Sequence, residues 1–294
     1  CHCLVGSEMC IRDRDKAFDE GINLLNTSYY YSNGESEKIL GNYFLTRKNR
    51  NKFTIISKIH GDLSSSVIEK CINQSLQRMN TDHIDFYGIT YDSKSKLEDI
   101  LETMEKFIQQ GKILKVACNN FDNKLLLNSK KVQEVNTHST FGILETVYNI
   151  LYRGIERNII KYCKSENIDI VTYSPLGAGF ITGKYKNGLL SPKETRFDIK
   201  PAHKDIYFKE KFFDTMDRLE KLGKKENISL VDLGLSWVIS KQFISSVLIG
   251  VRELSHIKRP VHLLENQVNK DILDEVDRTV SYTHLRAHET VANL

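Results

Sequence analysis

The sequence predicts an α/β protein, a (β/α)8 barrel of the TIM type. Three observations lead to this prediction. Short apolar runs alternate with helical segments, most of the runs begin about 30 residues apart, and most are rich in Ile, Val and Phe without polar alternation. Runs of this kind are typical of strands buried on both faces, and strands separated by helices form parallel sheets.

Seven strands are predicted, and eight βα units close a barrel of this type. We therefore expect the first strand to be missing through truncation at the N-terminus. A doubly wound open sheet is the alternative. No Gly-x-Gly-x-x-Gly motif follows a predicted strand, which disfavours the dinucleotide-binding form of that fold. The predicted strands are Ile22–Leu25, Phe53–Ser57, Ile84–Ile89, Ile113–Cys118, Phe141–Leu144, Ile168–Tyr173 and Ser245–Ile249.

Eight helices are predicted between and after these strands. The clearest is Leu97–Gln110, whose apolar residues recur at three- and four-residue intervals up to Gly111, a residue type that commonly ends helices. Ser36–Arg47 follows a glycine turn, and Leu63–Met79 begins among serines that can cap it. The polar stretch Lys184–Lys204 is the loop long enough to cover a ligand. The other predicted helices are Asn123–Glu134, Gly154–Ser165, Ile206–Leu222, Leu230–Ile239 and Asp271–Arg278, the last packing outside the barrel.

Composition limits the classes of partner. Hydrophobic residues make up 40% of the 294 residues, charged residues 27%, and the net charge is only +4 with both signs interspersed, so no nucleic-acid surface is expected. No run of 18 apolar residues predicts a membrane span. Cys71, Cys118 and Cys163 lie far apart without metal-ligand spacing, which favours a reduced, cytoplasmic protein that holds no metal.

The two ends differ in composition from the body. Residues 1–14 contain half of the six cysteines, and residues 281–294 contain two histidines and no lysine. Both segments resemble translated sequencing-adapter sequence, so we expect them to be non-native and the barrel domain to span residues 15–280. A metal-binding or targeting arm at residues 1–10 is the alternative. A secretory signal is disfavoured because the segment has no apolar stretch of sufficient length.

Residues 26–37, Asn-Thr-Ser-Tyr-Tyr-Tyr-Ser-Asn-Gly-Glu-Ser-Glu, carry a recognisable motif. They resemble the Asp-Thr-Ala-x-x-Tyr-Gly-x-Gly-x-Ser-Glu signature of the aldo-keto reductases, which move hydride between NADPH and a carbonyl. Residues 173–177, Tyr-Ser-Pro-Leu-Gly, match a second segment of that family, and Thr-Gly-Lys follows at 182–184. The resemblance covers about residues 15–280 and implies a barrel that binds NADP(H) and acts on a small-molecule carbonyl substrate.

The resemblance also implies a catalytic tetrad, which the family builds from Asp, Tyr, Lys and His. Here those positions hold Asn26, Tyr31, Lys58 and Thr90. Tyrosine is a slow acid at neutral pH because its free pKa lies near 10, and a lysine ammonium eases proton exchange by favouring the phenolate. Asn26 is expected to hydrogen-bond to Lys58 without neutralising it, and Thr90 is shorter than histidine. His60 is a candidate replacement for the imidazole; a histidine at the barrel rim is the simpler alternative.

Cofactor contacts follow from the same resemblance. In that family, one set of residues binds the nicotinamide amide, a tyrosine stacks on the nicotinamide ring, and a turn after a strand holds the pyrophosphate. The resemblance implies residues of this chain for each of these contacts. An arginine after the last strand implies NADP in preference to NAD, since its planar fork suits a phosphate. The family contacts adenine through a Gln and a Glu-Asn pair. At those positions this chain has His256, Arg259 and Pro260, which disfavours these adenine contacts. The implied cofactor residues are Asn119, Asn120, Glu145, Tyr148, Ser174, Leu176, Gly177 and Arg252.

The sequence therefore predicts an NADPH-dependent oxidoreductase that reduces a carbonyl or a conjugated enone. The altered tetrad leaves an alternative open: a catalytically impaired NADP-binding homologue that acts as a sensor or partner subunit. A fragment without function is the third possibility, because a barrel that lacks a strand leaves open sheet edges. Tyr31→Phe separates the first two, since it should abolish turnover in the reductase and change nothing in the sensor.

Overall fold

The computed structural model describes residues 8–185, 193, 195–199, 201–251 and 253–284. The chain divides into two compact units. The first unit comprises Cys1–Thr146, Asn158–Ile170 and Arg252–Leu254. The second comprises Val147–Arg157, Val171–Val251 and Ser255–Leu294.

The first unit is a curved parallel sheet with helices between its strands. Strands β1 to β5 pair in the order of the chain, each parallel to the next. The residues of β5 are all buried, as expected for a strand covered on both faces. The strands are β1 Leu24–Asn26, β2 Thr54–His60, β3 Ile84–Thr90, β4 Ile113–Asn119 and β5 Phe141–Val147. The helices are α1 Glu8–Asp19, α2 Glu35–Arg47, α3 Ser65–Met79, α4 Leu97–Gln109, α5 Asn123–Asn136 and α6 Ile159–Ser165.

The second unit continues the alternation of strand and helix. Strand β6 (Asp169–Tyr173) enters it at Val171 and pairs in parallel with β7 (Ser246–Val247). A 3-10 helix, Gly177–Thr182, follows β6 directly. The helices of this unit are α7 Arg196–Ile199, α8 Lys204–Tyr207, α9 Glu210–Glu226, α10 Leu230–Ile239, α11 Ser255–Glu265 and α12 Lys270–His284.

An ionic cluster around Trp237 ties the last helix to this unit. Asp277 of α12 accepts a hydrogen bond from the Trp237 indole at 2.9 Å and from Lys241 Nζ at 2.9 Å. Arg153 pairs with the same carboxylate at 2.8 Å, and the two cations lie over the Trp237 ring. Because these charges pair while they cover an aromatic core residue, α12 packs as part of the folded unit.

All seven predicted strands are confirmed, with small shifts at their ends. Strand β1 begins at Leu24, and β7 is only two residues long. The predicted helix from Ile206 is divided into α8 and α9. Neither α7 nor α11 was predicted, and α7 lies within the stretch Lys184–Lys204 that was predicted as a loop. Pro260 argued against a helix at α11, because proline normally breaks the interior of a helix. In the structure Pro260 is buried in the second turn of α11.

No helix within the described part of the chain is long and apolar enough to cross a membrane. The thiols of Cys71, Cys118 and Cys163 are free and buried. Across the described residues, no group of three His, Cys, Asp or Glu side chains has the arrangement of a metal site.

Candidate active site

A closed ring of three polar side chains lies inside the first unit. Lys58, on β2, donates from Nζ to Asn26 Oδ1 at 2.8 Å and forms an ion pair with Glu145 Oε1. Asn26 Nδ2 donates to Glu145 Oε2 at 2.8 Å, which completes the ring. Lys58 is 9% exposed and Glu145 is 3% exposed. We expected Lys58 to lack a neutralising partner, but Glu145 supplies the carboxylate.

Tyr31 lies beside this ring. It begins the 3-10 turn Tyr31–Gly34 that follows β1, and its ring centroid is 5.7 Å from Lys58 Nζ. The Tyr31 side chain is 47% exposed. The structure thus brings three of the four predicted tetrad positions together, with a phenol that a substrate can reach next to a buried ammonium.

Arg78 and Glu37 fix the loop that carries Tyr31. Glu37 is fully buried, accepts from Ser57 Oγ at 2.8 Å and pairs with Arg78 at 3.1 Å. Arg78 also donates to the Tyr29 carbonyl at 3.1 Å and passes so close to Gly34 that a Cβ there would lie 2.5 Å from its Cζ. Sequence reasoning missed Arg78. The available signal was Glu37, since a buried carboxylate requires a cation.

Thr90 and His60 are neighbours at the ends of adjacent strands. Their Cα atoms are partners in the parallel pairing of β2 with β3, and Thr90 is half-buried. The His60 ring stacks on Tyr30 with a centroid distance of 4.5 Å. The substrate-orienting role of Thr90 and the substitute role of His60 stay predictions.

Asn119 carries a buried side-chain amide oxygen. It ends β4, is 5% exposed, and its Oδ1 atom has no hydrogen-bond partner among the described residues. Gly88 makes room for it, because a Cβ on Gly88 would collide with Asn119 Oδ1 and lie 3.1 Å from Lys58 Cβ. Asn120 has a φ of 56° and donates its backbone N–H to the Glu145 carbonyl at 2.8 Å. A buried oxygen without a donor suits the carboxamide of a nicotinamide cofactor.

In the second unit, the turn after β6 contains several residues with left-handed backbone conformations. Ser174, Gly177 and Gly179 have positive φ values of 55°, 56° and 93°. Leu176 lies between them, just before the 3-10 helix. The N–H groups of Gly177 and Gly179 donate to the carbonyls of Ser174 and Leu176, at 2.9 Å and 3.0 Å.

A cation lies against this turn. The exposed side chain of Lys184 places Nζ 3.5 Å from the position of a Cβ on Gly179. An ammonium at this place is able to pair with a phosphate. The Thr-Gly-Lys segment that contains Lys184 was noted in the sequence, but no role was assigned to the lysine.

Tyr148 is held deep in the second unit. Its ring is fully buried and stacks on Trp237 at a centroid distance of 5.1 Å. Its hydroxyl donates to Glu156 Oε1 at 2.6 Å, and burial together with this carboxylate raises the pKa of Tyr148 well above its ordinary value. Stacking of Tyr148 on the nicotinamide stays a prediction.

Two arginines, Arg252 and Arg259, follow β7 in the chain. Arg252 lies outside the described residues. Arg259 forms a two-pronged pair with Asp232, with distances of 2.7 Å and 3.0 Å. The pair engages the guanidinium of Arg259 within the second unit, and this contact between α10 and α11 explains why the residue is an arginine.

Comparison with known proteins gives a consistent result. The model of the aldo/keto reductase family matches residues 7–280. Methylglyoxal reductase YeaE of Escherichia coli is 26% identical over 261 residues, which cover 88% of this chain and 80% of that protein. Aldo-keto reductase yakc [NADP(+)] of Schizosaccharomyces pombe is 25% identical over 278 residues, with coverage of 88% and 79%.

A solved structure shows the same fold. The glycerol dehydrogenase of Gluconobacter oxydans superimposes with a TM-score of 0.76 at 23% identity, and the match covers 97% of this chain and 86% of that protein. At this identity the likeness establishes the fold, which is the predicted barrel class.

Proposed function

Because this chain belongs to the aldo/keto reductase family, we propose that it is an NADPH-dependent oxidoreductase that reduces a carbonyl or a conjugated enone of a small molecule. The observation that carries the proposal is the buried, charge-paired Lys58 beside the accessible ring of Tyr31. A buried ammonium is costly unless it is paired or used, and here it is paired on one side and faces a phenol on the other.

Each residue of the site has a defined part in this proposal. A nicotinamide cofactor, when bound, supplies the hydride that reaches the carbonyl carbon. Tyr31 gives its hydroxyl proton to the carbonyl oxygen as negative charge develops there. Lys58 stabilises the phenolate that remains, because a positive charge nearby favours the ionised form of a phenol.

Each unit contains residues that suit one part of a nicotinamide dinucleotide, and each set is a proposal for that unit. In the first unit, the Asn119 amide oxygen would accept from the carboxamide, with Asn120 beside it, while the carboxylate oxygens of Glu145 are engaged by Asn26 and Lys58. In the second unit, the turn formed by Ser174, Leu176 and Gly177 would hold the pyrophosphate. Arg252 would face a 2′-phosphate, and the yeast relative named for NADP(+) supports that choice.

The experiment is oxidation of NADPH, followed by absorbance, with a panel of aldehydes, ketones and enones that includes methylglyoxal, the compound in the name of the Escherichia coli relative. We expect Tyr31→Phe to lower kcat by about 10²–10⁴-fold, since general acid catalysis is typically worth that much, and to leave NADPH affinity nearly unchanged. Tyr30→Phe is the matched control in the same loop, because it keeps the ring that stacks on His60.

Tight NADPH binding without turnover on any compound would overturn the reductase and favour the sensor or partner-subunit alternative. Turnover that is equal in wild type and Tyr31→Phe would remove Tyr31 from the mechanism. Absence of NADPH binding would contradict both candidate functions.

A further inference from the structure

The carboxylate and the amide that surround Lys58 occupy equivalent positions. Glu145 and Asn26 each direct one oxygen at Nζ, and each touches the other at 2.8 Å. They come from strands at opposite sides of the sheet in the first unit, since β1 and β5 are separated by three strands. The pocket therefore contains one negative charge for one positive charge, and geometry allows either side chain to carry it.

The distribution of charge in this pocket matters because the pocket is nearly closed to solvent. A buried ammonium that contacts only neutral amides bears an uncompensated desolvation cost, whereas one carboxylate offsets that cost. Two carboxylates in contact around one ammonium repel each other. Of the four combinations of acid and amide at positions 26 and 145, only the two with a single acid balance the charge of Lys58.

We propose that Glu145 is the positioning residue that holds the Lys58 ammonium beside Tyr31, and that its carboxylate is exchangeable with position 26. This inference rests on the proposed function for its effect on turnover. Glu145 thereby differs from a simple amide partner of the cofactor, because its charge and not its hydrogen-bonding capacity is what the site requires.

The test is a double-mutant cycle with Glu145→Gln, Asn26→Asp and the combination of the two. We expect each single variant to lose at least about tenfold in kcat/KM, given the usual size of acid–base effects, and the combined variant to recover most of that loss. NADPH affinity is measured in parallel by fluorescence titration. Glu166→Gln is the matched control, since it removes the carboxylate from the pair with Lys130, 2.6 Å apart, elsewhere in the unit.

The outcomes separate the possible roles. If Glu145→Gln keeps full activity, or if adding Asn26→Asp to it makes the loss larger, the proposal is overturned. Thermal unfolding of the same four proteins gives a readout that needs no substrate: the two single variants should melt below the wild type, and the combined variant should melt above both. If no compound is turned over but the melting temperatures show this recovery, the proposed function fails and the charge exchange stands. If neither property recovers in the combined variant, the charge exchange is wrong.

Discussion

At the scale of the residue, the site pairs one ammonium, Lys58, with one carboxylate, Glu145. Glu145 and Lys58 are 87 positions apart in sequence, and Asn26 and Glu145 are 119 positions apart. Motif spacing places each of them near the end of a strand, but it does not show that all three touch. The contact becomes visible only in the folded sheet, whose curvature brings β1 toward β5. There Glu145 supplies the carboxylate that position 26 lacks.

Gly88 provides a prediction at the same scale. A Cβ at this position would collide with Asn119 Oδ1 inside a strand where neither backbone can yield without breaking pairing. We expect Gly88→Ala to displace the Asn119 side chain and weaken NADPH binding by about tenfold, which corresponds to the loss of about one hydrogen bond to a buried group. Fluorescence titration measures the affinity.

Gly142 is the comparison for Gly88→Ala. A Cβ at Gly142 would meet flexible or aromatic side-chain atoms of Lys115 and Phe86, away from the residues assigned to the cofactor. Gly142→Ala should cost stability without a selective loss of NADPH affinity. Equal affinity of Gly88→Ala and wild type would show that Asn119 does not hold the nicotinamide.

At the scale of the element, the start of α10 shows a cap reinforced by a neighbouring helix. Ser229 accepts from the Asp232 backbone N–H at 3.1 Å and donates to its carboxylate at 2.7 Å. Arg259 of α11 pairs with the same carboxylate. Caps and acids in the first turn stabilise a helix by compensating its unpaired N–H groups.

This cap predicts a dependence of stability on pH. The hydrogen bond from Arg259 lowers the pKa of Asp232 below its ordinary value of 3.8, with Ser229 and His262 contributing in the same direction. A carboxyl whose pKa is lowered by folding stabilises the protein above its unfolded pKa, and this contribution is lost as pH falls through the folded value. Because the pair is partly exposed, we expect about 0.5–1 kcal/mol.

The measurement is the free energy of unfolding by urea at pH 5, 4 and 3 for wild type and Asp232→Asn. The variant should be less stable at pH 5, and the difference should shrink toward pH 3. Asp217→Asn, on α9, is a control in the same unit, and no such convergence is expected of it. If the difference in the free energy of unfolding stays constant with pH, protonation of Asp232 is not coupled to folding and the prediction is wrong.

Helix α11 is an element that the sequence did not predict. Ile257, Pro260 and Leu263 are buried at three-residue intervals, which is a helical signal. Proline and the surrounding charges outweighed that signal in the prediction. The strands were easier to predict because unbroken apolar runs have few alternative structures, whereas a short helix with proline depends on its tertiary contacts.

At the scale of the whole molecule, the barrel class was predictable because the period of strand and helix is repeated along the chain. Seven independent segments agreed, so an error at any one boundary did not change the fold. The site was predictable only in part. Tyr31, Lys58 and the turn at 174–177 are carried by local motifs. Arg78 instead acts through contacts with the Tyr29 carbonyl and with Glu37 of α2, which lie 49 and 41 residues earlier in the chain.

Cofactor binding should stabilise the whole chain, because a ligand that binds the folded state alone shifts the unfolding equilibrium. At a concentration of NADPH one hundred times its Kd, the gain is about 2.7 kcal/mol, which for a chain of this size is a rise of several degrees in Tm. NADH should give a smaller rise if a 2′-phosphate site contributes. The measurement is thermal unfolding by circular dichroism with each nucleotide.

Lys184 allows the phosphate turn to be tested by the same measurement. Lys184→Gln removes the ammonium next to Gly179 and should reduce the rise in Tm with NADPH and NADH alike, because the pyrophosphate is common to both. Lys221→Gln, on the exposed face of α9, is the matched loss of one positive charge in the same unit. An equal rise in Tm for both lysine variants and wild type would place the pyrophosphate away from this turn. A reduction confined to Lys184→Gln would support it, since a general loss of positive charge would affect the two variants equally.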